Sequence, residues 1–317
     1  MNTTTNKSSS LAKGLKVLSL FDGISCGRVA LERAGIPIER YVAYEIDGNA
    51  IKISQKNYLD IEQMGDVTIA DFTQYEGFDI LIGGSPCQSF SFAGKMIGMV
   101  SKTKEDICTL ERYLELKEQG FEFDGYSYLF WEYIRALKEV KPKYFLLENV
   151  KMSQKWKDII TETIGVEPIL IDSALVSAQH RERNYWTNIP NVEQPKDKNI
   201  LFRDVIKKER KWLPLLPWVY TYWGDRQKID MLRTIDAEKS FCVTTNKTHS
   251  KNYYLNSDKT GLTKLDADET EILQTLPSGY TANAGVAEGN RFKAIGNGWT
   301  VDVIAHIFSY LKAEICQ

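Results

Sequence analysis

Between Lys16 and Leu175, short apolar runs alternate with amphipathic segments, and this alternation constrains the fold more than any other feature. Lys16 to Phe21 (KVLSLF) reads as a strand that ends in Asp22-Gly23, and Arg28 to Ala34 follows as a helix. Tyr41 to Ile46 and Ala50 to Tyr58 repeat the pair. Phe78 to Ile82 is a third strand and runs into Gly83-Gly84-Ser85-Pro86. Tyr128 to Val140 carries apolar residues at 129, 130, 133, 134 and 137, the spacing of one helical face. Strands at Tyr144 to Leu147 and Ile169 to Leu175 close the series. Strands and helices in alternation predict an α/β fold, a doubly wound, mostly parallel sheet with helices on both faces. Such sheets bind ligands at the carboxyl ends of their strands. Asp22, Glu45, Cys87 and Glu148 all fall at those ends.

The 317 residues are 43% apolar and 26% charged, which excludes a collagen, a mostly disordered chain and a disulfide miniprotein. At roughly 150 residues per domain the length suggests two units. No apolar run approaches the ~20 residues that span a bilayer. Residues 1–13 are polar and read as a disordered tail without a secretory leader, so a cytoplasmic location is expected, with no membrane partner. The five cysteines show neither a C-x-x-C pair nor metal-site spacing, so free thiols and no metal are expected.

Net charge of −2 hides an asymmetry. Fifteen basic and eight acidic residues lie between Lys196 and Lys264, a local +7 that leaves −9 on the rest. A polyanion-binding module and a solvated lysine-rich surface both account for that. The stretch also holds Trp212, Trp218, Tyr220, Tyr222 and Trp223 and lacks clear periodicity. Regularity returns at Asp268 to Leu276, and Val301 to Ile315 reads as a closing helix.

The turn Phe21 to Gly27 joins a strand to a helix, where glycine lets the backbone approach a ligand. A tight structural turn explains it equally well. Glu45, about 20 residues on at the second strand's end, is placed for ribose hydroxyls, and Asp66 could meet an adenine amino group. Together they favour an adenosine-containing cofactor. Cys87 follows a buried strand on a Gly-Gly-Ser-Pro turn, as a cleft thiol or a buried cysteine. Glu148 ends the neighbouring strand. Arg181 and Arg183, two apart in an extended segment, point to one side, as a site or as a surface ion-pair cluster.

The ordered set Phe-x-Gly (21–23), Pro-Cys-Gln (86–88), Glu-Asn-Val (148–150), Gln-x-Arg-x-Arg (179–183) and Gly-Asn (296–297) resembles the DNA (cytosine-5)-methyltransferase family over residues 16–311. Leu20 to Ile24, Arg40 to Ala43 and Trp299 are similar to the animal de novo branch, while Pro-Cys-Gln and Gly-Asn have the bacterial or phage pattern.

The resemblance implies a Rossmann-like S-adenosylmethionine-dependent catalytic domain at 14–186 plus 266–317, with an inserted target-recognition domain at 187–265. It implies methyl transfer to C5 of a cytosine flipped out of double-stranded DNA, with S-adenosylhomocysteine as product and no metal. Cys87 would attack C6, Glu148 would donate to N3, Arg183 would contact O2, and Arg181 would help position the Cys87 loop. Phe21, Asp22, Gly23, Ile24, Glu45, Ile46, Asp66, Val67, Asn297 and Trp299 would contact the cofactor. Ser25 and Cys26 depart from the glycines common in bacterial relatives. Phe241 to Leu255 resembles the element that organises the recognition domain, through Thr244 and Thr245. Lys102 to Phe121 reads as an insertion, a surface helical excursion without an assigned role. A monomer or homodimer in a bacterial or phage-infected cell, beside a restriction system, suits this pattern. A tRNA methyltransferase and a catalytically silent DNA-binding partner are the alternatives.

Overall fold

The computed structural model describes residues 14–86, 99–101, 105–207, 209–215 and 232–315. Cys87, the 1–13 tail, residues 102–104 of the insertion, and Trp218, Tyr220, Tyr222 and Trp223 lie outside the described residues.

The first half follows the predicted alternation: β1 (Leu15–Leu20), α1 (Cys26–Arg33), β2 (Ile38–Tyr44), α2 (Gly48–Asn57), β3 (Glu62–Gln63) and β4 (Ile80–Gly83). β5 (Val100–Ser101) and β6 (Phe123–Asp124) pair with each other and flank α3 (Leu110–Glu118). Then come α4 (Phe130–Val140), β7 (Tyr144–Val150), α5 (Gln154–Ile164), β8 (Ile169–Asp172) and β9 (Glu182–Thr187). The seven-stranded sheet has the order β3-β2-β1-β4-β7-β9-β8, parallel from β3 to β7, with β9 antiparallel to both neighbours. It is the doubly wound sheet the alternation predicts. Chain order reverses between β1 and β4, and such a switch point opens a crevice at the carboxyl ends.

Side chains alternate across the sheet, as a pleat requires. Val17, Tyr41, Ala43, Ile80, Ile82 and Leu146 enter one buried cluster, which includes residues of α1 and the closing helix. Leu18, Leu20, Val42, Tyr44, Leu81 and Leu147 enter the other, with residues of α3, α4 and α5.

Three expectations need correction. β7 continues to Val150 because β9 pairs with it from Leu146↔Thr187 to Val150↔Arg183, so Glu148 lies within a strand. The strand expected over 169–175 stops at Asp172, whose carboxylate accepts from the Ala174 and Arg181 amides and turns the chain into a short 3-10 helix. The insertion is more than a surface excursion. Leu110, Tyr113 and Leu116 of α3 are buried, and Tyr113 and Lys117 donate to the fully buried Glu132 of α4, both at 2.5 Å.

In the basic stretch, α6 (Phe202–Val205) precedes β10 (Leu213–Pro214), β11 (Tyr253–Leu255) and β12 (Gly261–Lys264), a small antiparallel sheet ordered β10-β12-β11. Leu232, Leu255 and Leu262 form its own apolar cluster. Phe202, Val243 and Tyr254 instead join the core beneath the large sheet. α7 (Ala267–Leu273) starts in a capping box of Asp266 and Glu269. α8 (Glu288–Asn297) and α9 (Val301–Ile315) follow, and α9 packs on α1.

Candidate active site

Register sets the level of the site. Leu20 faces Tyr44 on one side and Gly83 on the other, and Gly83 faces Leu147. The next residues on these four strands, Phe21, Glu45, Gly84 and Glu148, therefore stand in one layer.

At the first turn, Phe21, Gly23 and Ser25 all have positive φ (56°, 59° and 60°). Only Gly23 takes that conformation without a steric penalty. The turn is held from below. Asp22 accepts from Ser19 at 2.6 Å, Ser25 at 2.5 Å and Tyr41 at 2.7 Å. Burial raises its pKa to about 6, although the three hydroxyls oppose that. The Asp22 side chain thus faces inward, away from the crevice, and any ligand contact it makes falls to its backbone. Ile24 and Val67 are buried too, and the Ile24 carbonyl accepts from Tyr280.

Other residues of the predicted cofactor set are exposed or half-buried. Glu45 accepts from the Gly23, Ile46 and Asp47 amides, each at 2.8 Å, which fixes its carboxylate at the turn. Ile46 is 71% exposed, an unusual degree for isoleucine. Asp66 is exposed and caps the turn at Val67 through the Thr68 amide. Asn297 is exposed at the end of α8, and Phe21 and Trp299 are half-buried.

Across the switch point, Glu148 lies opposite Tyr185, two residues from Arg183 on β9. That diagonal places both side chains on one face. Arg183 Nε stands 3.0 Å from Glu148 Oε1, and Trp299 Nε1 donates to Oε2 at 3.0 Å. The carboxylate therefore has an arginine on one oxygen and an indole N–H on the other. Asn149 donates to the carbonyl and hydroxyl of Ser85, at 3.2 and 3.0 Å, tying the turn that leads into Cys87 to β7. Asn149 and Ser85 carry no role in the sequence reading, although both sit inside the quoted motifs.

The loop that Arg181 is expected to help position lies outside the described residues. Among the described residues Arg181 donates to Cys242 Sγ and the Val243 carbonyl, both at 3.3 Å, and to the Gly296 and Gly298 carbonyls at 3.1 and 2.9 Å. It joins the end of α8 to the 242–243 segment. Gln179 works beside it, donating to the Leu273 carbonyl and accepting from the Val243 amide. A Cβ on Gly296 would stand 2.5 Å from the Thr244 backbone, so glycine is required where α8 meets the 241–255 element. Burial pushes the Cys242 thiol up, but Arg181 and Arg183 outweigh it and leave the pKa below its ordinary value. His180, by contrast, pairs with Asp172 at the surface. Among the described residues, no group of three or more His, Cys, Asp or Glu side chains is placed to hold a metal ion, and no helix is long and apolar enough to cross a membrane.

Comparison with known proteins matches residues 15–166 to the C-5 cytosine-specific DNA methylase family model. An orphan methyltransferase of Bacillus phage SPR is 30% identical over 312 residues, covering 91% of this chain and 61% of that protein. A type II methyltransferase of Escherichia coli is 29% identical over 295 residues, covering 82% and 63%. The chain thus spans less than two thirds of the length of these relatives. Among solved structures, the Dnmt2 methyltransferase of S. pombe superposes with a TM-score of 0.67 at 20% identity, over 95% of this chain and 99% of that one. A putative DNA modification methyltransferase from an E. coli prophage gives 0.62 at 16% identity, over 96% and 100%. These likenesses extend the same fold over nearly the whole chain. Residues 15–166 thus match the family that the ordered motifs resemble.

Proposed function

We propose that the chain is a DNA (cytosine-5)-methyltransferase that acts on a cytosine flipped out of a short duplex site. The observation that carries this reading is the Glu148 carboxylate, held by Arg183 and Trp299 beside the Asn149-anchored Ser85, two residues before Cys87 in the chain.

The turn fits an adenosyl cofactor. Among the described residues other than its chain neighbours, Gly23 has nothing within 4 Å of where a Cβ would stand, an open cradle near the exposed Ile46. Phe21, Gly23, Glu45, Ile46, Asp66, Asn297 and Trp299, with the backbone of Asp22, Ile24 and Val67, would hold S-adenosylmethionine. When bound, it supplies an electrophilic methyl group.

Cytosine C5 is a poor nucleophile, so the chain's residues must activate the ring. The Cys87 thiolate forms a bond to C6, and the displaced electron pair moves toward N3, where Glu148 delivers a proton. The resulting enamine is nucleophilic at C5. After C5 is methylated, its proton passes to a solvent base, the S–C6 bond breaks and the thiolate returns, while the N3 proton goes back to Glu148. Arg183, on the same face as Glu148, would hold the cytosine O2. A stacked base cannot reach these groups, hence the flipping. Residues 187–265, with their excess of basic side chains, serve as the target-recognition domain, phosphate contacts giving affinity and base edges giving choice.

Transfer of radiolabelled methyl from S-adenosylmethionine, offered in parallel to duplex DNA and bulk tRNA, tests the reading. Label should enter DNA and vanish with Cys87→Ala. Label in tRNA alone would overturn the substrate, and label in neither would favour a silent partner.

A further inference from the structure

We infer that Trp299 is a positioning residue for Glu148, coupling the cofactor turn to the acid across the switch point; this rests on the function proposed above. The indole approaches from the cofactor side. Its backbone amide meets Cys26 at the start of α1, where burial lifts the thiol pKa to about 12 against that bond. Its six-membered ring passes Gly27, where a Cβ would stand 3.4 Å from Cζ3. Its N–H then reaches Glu148 Oε2 at 3.0 Å.

An indole nitrogen donates and never accepts. The contact therefore holds Oε2 in the plane of the ring edge, while Arg183 holds Oε1 from β9. A hydrogen-bond donor and a guanidinium, from different elements, fix the rotation of a carboxylate that each alone would leave free to turn. Gly84 makes the meeting possible. A Cβ there would stand 2.8 Å from Trp299 Nε1 and 3.0 Å from Glu148 Oε2, closer than real side chains approach. The glycine after β4 is thus the gap through which the indole and the carboxylate touch, one residue before the Ser85 that Asn149 anchors.

The test compares wild type with Trp299→Phe and Gly84→Ala. Phenylalanine keeps an aromatic face for the cofactor and removes only the donor, while alanine at 84 intrudes on the contact without altering either partner. Methyl transfer to duplex DNA is measured at saturating cofactor and DNA. The S-adenosylhomocysteine dissociation constant and melting temperature are measured on the same preparations. Loss of one hydrogen bond to a charged group predicts a fall in kcat of roughly tenfold or more in both variants. For Trp299→Phe, the dissociation constant should stay within about threefold of wild type and the melting temperature within a few degrees. Restoring the donor alone, with a tryptophan analogue at 299 against its sulfur isostere, should recover the rate. Unchanged kcat in both variants, or a weaker cofactor constant with kcat intact, would overturn the inference. A wild-type protein inactive on DNA would instead overturn the function beneath it, before any variant is read.

Discussion

Two carboxylates sit at the carboxyl ends of the central strands and are treated in opposite ways. Asp22, after β1, meets three hydroxyls and, among the described residues, no cation, and burial raises its pKa to about 6. Glu148, in β7, is 8% exposed and meets a guanidinium and an indole N–H at the mouth of the crevice. The first supports a turn from beneath, while the second is the acid proposed to act on the base. Partner chemistry, more than position along the strand, separates the two.

Glu148→Gln should break this contrast most severely. It keeps shape but cannot transfer a proton, and loss of general acid catalysis predicts a fall in kcat of about 10²- to 10⁴-fold with little change in melting temperature. A variant within threefold of wild type would remove Glu148 from the chemistry. Next in size is the pH dependence set by Asp22. Its folded-state pKa of about 6 lies above the ordinary 3.8 because the carboxyl is buried, so the folded chain holds this proton more tightly. The stability it contributes is full below the ordinary value and is lost as pH rises through the folded one, by about 3 kcal/mol in all. Asp22→Asn abolishes that term. Denaturant unfolding at about pH 4 and pH 7 should then show the variant gaining on wild type by roughly 2 kcal/mol, most of that total. A pH-independent difference would mean that Asp22 is solvated and ionised. The smallest effect is expected at Glu45, whose carboxylate fixes three amides at the turn. Glu45→Ala should weaken cofactor binding by roughly tenfold and leave the DNA site chosen unchanged. A shift in target sequence would move Glu45 out of the cofactor site.

These residues also show what the sequence discloses. The alternation of KVLSLF, YVAYEI and FDILI with helical segments is local, and it was enough to predict the doubly wound sheet and the layer holding Glu45 and Glu148. What it hides is pairing across the chain. Arg183 reaches Glu148 only because β9 enters the sheet antiparallel beside β7, and a short Asn-Tyr-Trp run does not announce that partner. Trp299 lies 151 residues from Glu148 in sequence, and Arg181 reaches Gly298 over 117. Ion-pair hubs such as Glu132, which draws α3 onto α4, look like ordinary surface charges until the helices are packed. Asp22 shows the converse, since the motif that names it cannot tell a backbone contact from a side-chain one.

The most direct test of the central claim is to trap the covalent step. Duplex DNA carrying 5-fluorocytosine cannot lose the C5 substituent as a proton, so a Cys87–C6 bond formed in the presence of S-adenosylmethionine should persist under denaturing conditions. Mass spectrometry should find one DNA strand linked to the peptide containing Cys87, and no adduct with Cys87→Ala. Methyl transfer to ordinary DNA without any adduct on the fluorinated duplex, or an adduct that survives Cys87→Ala, would contradict the account.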